Sequence, residues 1–124
     1  MQRHEKEKLA VFVDMDNLSV TGLETVLSRW RYRQTPLTLR RAYGGLDKLK
    51  GASAVLQRYG FHVRANHGKG TTDVLLTVDV MDALRAGLLP PVVAIASSDA
   101  DFVPLVWRLR DAGIRVVGVA ERVI

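Results

Sequence analysis

Apolar residues recur along this chain in two alternating rhythms. LAVFV (9–13), VVAIA (92–96) and IRVVGVA (114–120) are continuous apolar runs rich in β-branched residues, the pattern of strands buried on both faces. Thr38–Tyr43, closed by Gly44-Gly45, and Phe61–Ala65 read as two further strands. Between them the spacing changes. Leu23, Val26, Leu27 and Trp30 fall at i, i+3, i+4 and i+7, which predicts a helix over 18–33. Leu49, Ala52, Leu56 and Tyr59 predict a second over 46–59, ended by Gly60. Residues 66–72 read as a loop, 73–85 and 102–111 as helices stopped near Gly87 and Gly113, and Pro90-Pro91 as a break.

The order is βαβαβαβαβ. Buried strands separated by helices, joined by right-handed crossovers, predict a three-layer α/β/α sandwich with a central, mostly parallel five-stranded sheet. No repeat, linker or low-complexity segment interrupts it. Residues 1–8 are expected to be a charged extension and 9–124 one domain.

In such folds ligands bind outside the carboxyl ends of the strands, where strand order reverses. Asp14 and Asp16 follow the first strand in VFVDMDN, and Asp99 and Asp101 follow the fourth in ASSDADF. Asp73 opens the third helix after HGKGTTD, at the same edge. If strands one and four are neighbours, five carboxylates converge. Their mutual repulsion is relieved by a hard divalent cation, Mg²⁺ or Mn²⁺. Such a cation orients a water, lowers its pKa and stabilises the leaving oxygen of a phosphodiester. His62 lies on a strand and only His67 is near the site, so zinc fits less well.

Each carboxylate has a plainer reading. Asp16, Asn17, Asp73 or Asp99 alone would serve as a helix cap. Two D-x-D pairs, each directly after a buried strand, exceed what capping needs. On the helix that starts at 73, Asp79 lies about 120° and Asp82 about 180° around from Asp73, so the three do not share one face. Asp79 sits among Leu75, Leu76 and Ala83 and is expected to hold a loop or amide, or to support the site; Asp82 is expected at the surface. Lys69, followed by Gly70, reads as a phosphate contact or as a plain solvated lysine, and Ser97 and Ser98 as hydrogen-bond donors to phosphate or to the aspartates or as the small residues usual at a strand-to-helix turn.

Composition narrows the class. The chain has 124 residues, enough for one core, and no cysteine, which excludes disulfides and thiolate zinc sites. MQRHEKEK lacks the apolar core of a signal peptide, and no apolar run reaches the ~20 residues of a membrane span, so a cytoplasmic protein is expected. The net charge of +5 points to an anionic partner or to solubility alone. Arg29, Arg31, Arg33, Arg40 and Arg41, interleaved with Trp30 and Tyr32, are the expected nucleic-acid contacts, while acids concentrate in 73–82 and 99–101.

D-x-D after a first strand also opens haloacid-dehalogenase-type phosphatases, with an aspartate nucleophile. Those continue with Gly and then Thr or Val, whereas this chain continues Asn17-Leu18, and SSDADF lacks their G-D-x-x-x-D spacing. Instead VFVDMDN, RRAYG, KGTTDVLLTVDVMDAL and IASSDADFVPLVWRLRDAGIRVVGVA, in that order over most of 9–120, resemble a NYN domain, a PIN-like nuclease of the LabA-like and limkain type. The resemblance implies a PIN-like sandwich and a metal-dependent ribonuclease site at Asp14, Asn17, Asp73, Asp99 and Asp101. In that reading Asp14, Asp73, Asp99 and Asp101 are the metal ligands, with Asp16 and Asp79 as helpers. RNA, single-stranded or structured, is the implied partner. Two departures stand out: Met15 where relatives often have Gly, and Gly45 where an acidic residue often follows the Tyr-Gly turn. Relatives commonly continue into a further helix or a winged-helix RNA-binding module, so this chain is expected to be a minimal domain or a piece of a longer protein. PIN-like domains often pair, and Val123-Ile124 marks an expected homodimer contact. The competing class is a PIN-like module that binds RNA or protein without cleaving it.

Overall fold

The structure is a computed structural model that describes residues 7–66, 70–97 and 100–119. Five strands, β1 (Leu9–Asp14), β2 (Leu37–Gly45), β3 (His62–Asn66), β4 (Val92–Ala96) and β5 (Arg115–Val119), form one sheet in the order β3-β2-β1-β4-β5. Every pairing in it is parallel. The order runs one way from β1 through β2 to β3 and the other way through β4 to β5. The reversal therefore falls between β1 and β4, the condition that brings the two D-x-D segments to one edge.

Helices cover both faces, as the unbroken apolar strands require. On one side Val11 and Val13 pack with Leu23 and Leu27 of α1 (Val20–Tyr32), Leu49 of α2 (Leu46–Gly51) and Leu56 of α3 (Ser53–Arg58). On the other, Ala10 and Phe12 meet Leu76 and Val80 of α4 (Thr72–Arg85) and Leu105 and Leu109 of α5 (Val103–Asp111). The alternation of β1 side chains thus feeds two separate cores, each buried side chain of leucine size contributing roughly 1.5–3 kcal/mol. Among the described residues no helix is long and apolar enough to cross a membrane.

Two local expectations change. The single helix over 46–59 is two short helices, broken at Ala52, whose φ of −99° and ψ of 3° leave the helical region. Gly51 beside it lacks helix propensity, and the bend keeps Leu49, Ala52 and Leu56 all buried against the sheet. The first helix starts at Val20 and is capped by Ser19, whose hydroxyl accepts the Gly22 N–H at 2.9 Å. Asp16 and Asn17 are therefore not its caps.

Candidate active site

Asp14 ends β1 and is fully buried. Its Oδ1 accepts the Asp16 backbone N–H at 3.0 Å. Its Oδ2 accepts the Asn17 side-chain amide and the Ser97 hydroxyl, each at 2.8 Å. Ser97 directly follows β4, which pairs with β1 through Val13 and Ala96, so the strand pairing itself delivers this contact. A carboxyl group taken out of water is costly unless hydrogen-bonded. Three donors supply that, and of about four lone-pair sites on a carboxylate one remains on Oδ1.

Asp16, expected as a helper, has both oxygens engaged in holding segments together. Oδ1 accepts the Gly45 N–H at 2.9 Å and Oδ2 the Thr72 hydroxyl at 2.5 Å. Thr72 accepts in turn from the Asn66 amide at 3.2 Å, and Thr71 donates to Asn66 Oδ1 at 2.5 Å. One exposed carboxylate thereby ties β1 to the ends of β2 and β3 and the start of α4, and β2 extends two residues beyond its expected end, into Gly44-Gly45. A Cβ at Gly44 would be crowded, 3.2 Å from Asp16 Oδ1 and 3.2 Å from Met15 Cβ. Gly44→Ala is expected to cost about 1–3 kcal/mol in urea denaturation, as overpacking does. Met15 turns into the core at 2% exposure, in one cluster with Val11, Val13 and Leu18.

Asp73 lies in the first turn of α4, half-buried, with Oδ1 accepting the Val74 N–H at 2.9 Å. Asp101 is exposed in the 3₁₀ turn Ala100–Phe102 after β4. Asp99, Ser98, Lys69 and His67 lie outside the described residues. Among the described residues no group of three or more His, Asp or Glu side chains stands close enough to hold a metal ion. What the structure brings into direct contact is Asp14, Asn17 and Ser97, with Asp16 beside them.

Asp79 holds two side chains rather than a loop or a backbone amide. Within α4 and only 6% exposed, it accepts the Tyr43 hydroxyl at 2.8 Å on Oδ2 and an Arg64 guanidinium nitrogen at 2.5 Å on Oδ1. Burial first, and then the bond to Asp79, push the Tyr43 hydroxyl well above the usual tyrosine range, with Arg41 partly offsetting the rise. The bond to Asp79 likewise raises Arg64. Tyr43 lay in the RRAYG segment with no role assigned to it, and Arg64 lay in no motif. Their visible signal was Tyr43 alternating with Leu39 and Arg41 on one face of β2, opposite a helix with one buried acid.

Most of the basic region does not lie beside the acidic one; Arg41 is the exception, on the β2 face of Tyr43 and close enough to offset part of the rise in its pKa. Helix α1 runs away from the carboxyl edge, so Arg29 and Arg31 in its last turn and Arg33 at its C-cap stand at the amino edge of the sheet. Arg40 points to the same end and donates to the Tyr59 carbonyl at 2.8 Å. A groove of about 430 Å³ opens there, lined by Leu27, Arg31, Leu37, Arg40, Arg58 and Tyr59. Sequence proximity grouped these arginines with the aspartates. The βα crossover, which reverses direction at every helix, separates them.

The reversal of strand order at β1/β4 and the carboxylate buried there make an α/β/α fold consistent with the PIN-like class. The chain belongs to the NYN domain family, whose model matches residues 8–123. NYN domains are generally PIN-like nucleases, and a nucleic acid is the class of substrate this implies. No curated protein matches the chain.

Proposed function

We propose that this NYN domain is a ribonuclease dependent on Mg²⁺ or Mn²⁺, hydrolysing phosphodiester bonds at the carboxyl edge of β1 and β4. The observation that carries the reading is Asp14: a fully buried carboxylate, oriented by three donors, at the point where strand order reverses. The donor chemistry suits a hard cation, with oxygen ligands, no cysteine and a spare lone pair on Asp14 Oδ1. Asp14, Asp73, Asp99 and Asp101 would hold it. When bound, such a cation lowers the pKa of a water and stabilises charge on the phosphate oxygens.

The chain's own residues prepare that chemistry. Asn17 and Ser97 fix the plane of the Asp14 carboxylate, as outer-shell donors fix metal ligands. Asp16 holds the ends of β2 and α4 in place around it. Lys69 would contact a backbone phosphate, giving affinity that falls with salt. Arginine contacts at the amino edge would serve only RNA long enough to reach that far. None of these groups supplies a base code, so sequence preference is not expected from this domain.

The test is cleavage of end-labelled single-stranded RNA with Mn²⁺ or Mg²⁺, with and without EDTA, beside Asp99→Asn. Products that require the metal and vanish in Asp99→Asn, with RNA binding retained, are the expected result. A second reading, a module that binds RNA or protein without cleaving it, draws on Asp73 being turned to its own helix N-terminus. Wild-type protein that binds RNA yet yields no metal-dependent products from any substrate would select it.

A further inference from the structure

Arg64 stands in the same cross-strand row as Asp14. The register pairs Asp14 with Tyr43 and Tyr43 with Arg64, so the three occupy one line across β1, β2 and β3 near the carboxyl edge. Two strand spacings separate Asp14 from Arg64, roughly 10 Å. Strand β3 is the last in the sheet, so nothing in the sheet lies beyond Arg64 to block an approaching chain. Its side chain is 56% exposed, whereas its partner Asp79 is 8% exposed. A guanidinium offers five N–H donors in a rigid fork. One nitrogen serves Asp79, and Asp82 on the same helix adds a weaker electrostatic attraction.

An exposed arginine paired to a carboxylate contributes little to stability by itself. Here the carboxylate is also fixed by the Tyr43 hydroxyl, on a helix packed against the sheet. The arrangement resembles the outer-shell carboxylates that aim a functional cation rather than a solvated ion pair. It also answers a question the fold raises: the α1 arginines are at the wrong end, yet a polyanion entering an acidic site needs a positive charge close by.

We propose that Arg64 forms a phosphate subsite, binding the RNA backbone phosphate that flanks the reacting one, with Asp79 and Tyr43 as its positioning residues. The inference rests on the ribonuclease reading in taking RNA as the polyanion, but its test is binding without metal. Affinity for a fluorescent single-stranded oligouridylate is measured in EDTA over a range of salt for wild type, Arg64→Gln, Arg64→Lys and the double variant Arg64→Gln/Asp79→Asn. The double variant leaves no buried carboxylate unpaired, so it separates phosphate binding from folding. Arg64→Gln and the double variant are expected to lose about tenfold in affinity at low salt, with the salt slope falling by about 0.7. Arg64→Lys should keep the slope and lose part of the affinity, because a point charge replaces a fork. Folded variants whose affinity and slope match wild type, or a wild type that binds no RNA in EDTA, would overturn the subsite. The ribonuclease reading is judged separately, by metal-dependent cleavage in the wild type.

Discussion

Asp14→Asn is expected to remove metal-dependent RNA cleavage almost entirely while leaving a folded protein. A bound cation supplies several kcal/mol of transition-state stabilisation, so losing a ligand that anchors it should lower the rate by roughly 10²–10³-fold. The exchange has a structural cost of its own. Every group around Asp14 is a donor: the Asp16 N–H on one oxygen, the Asn17 amide and Ser97 hydroxyl on the other. An asparagine places an NH₂ against one of those sides. Rotation of the Ser97 hydroxyl and a flip of Asn17 relieve the conflict in part, for about 1–3 kcal/mol of lost stability. Asp14→Ala abandons all three donors and is expected to be the less stable of the two. Initial rates with Mn²⁺ and urea midpoints, measured on the same preparations, check both effects. A folded Asp14→Asn that cleaves at the wild-type rate would remove Asp14 from the chemistry.

The second large effect concerns Tyr43, fully buried in the row that contains Asp14 and Arg64. Tyr43→Ala should destabilise by about 3–5 kcal/mol, as loss of a core aromatic does. That is a large share of the ~5–15 kcal/mol that holds a domain of this kind together. Tyr43→Phe keeps the ring and removes only the donor to Asp79, for about 1–3 kcal/mol. The two variants also differ from wild type in their response to alkali. In the native state the Tyr43 proton is held well above its ordinary range by burial and by Asp79. The unfolded tyrosine releases its proton near pH ~10. Above that value the unfolded state binds fewer protons than the native one, so stability falls as pH rises. The contribution is complete below pH ~10 and is lost progressively as pH climbs toward the raised native value. Urea midpoints from about pH 8 to about pH 11 should therefore show wild type declining toward Tyr43→Phe. Parallel curves for the two proteins would mean that Tyr43 carries no such linkage.

Much of this was legible in the sequence. Continuous apolar strands and i, i+3, i+4 helices are local signals, and they place three of the four expected helices and all five strands to within a residue or two. The exception, the break at Ala52, arises because the bend that buries Leu49 and Leu56 together depends on the sheet beneath them. The D-x-D-N segment was legible for the same reason: a carboxylate directly after a buried strand must emerge at the strand's end.

Apart from Ser97, expected on the aspartates if β1 and β4 were neighbours, partners across the fold were not legible, because no local pattern encodes which strands are neighbours. The sequence by itself determined the element order, the parallel α/β sandwich and the position of Asp14 at a carboxyl edge. Only the tertiary structure decided what each polar group touches. Strand pairing put Ser97 on Asp14, the Asp16 bridge spent a presumed helper on holding β2 and α4, and Asp79 took Tyr43 and Arg64 as partners. It also sent the α1 arginines to the far edge. A helix in a βαβ unit must return to the start of the next strand, so residues at its end sit a full strand length from those at its beginning.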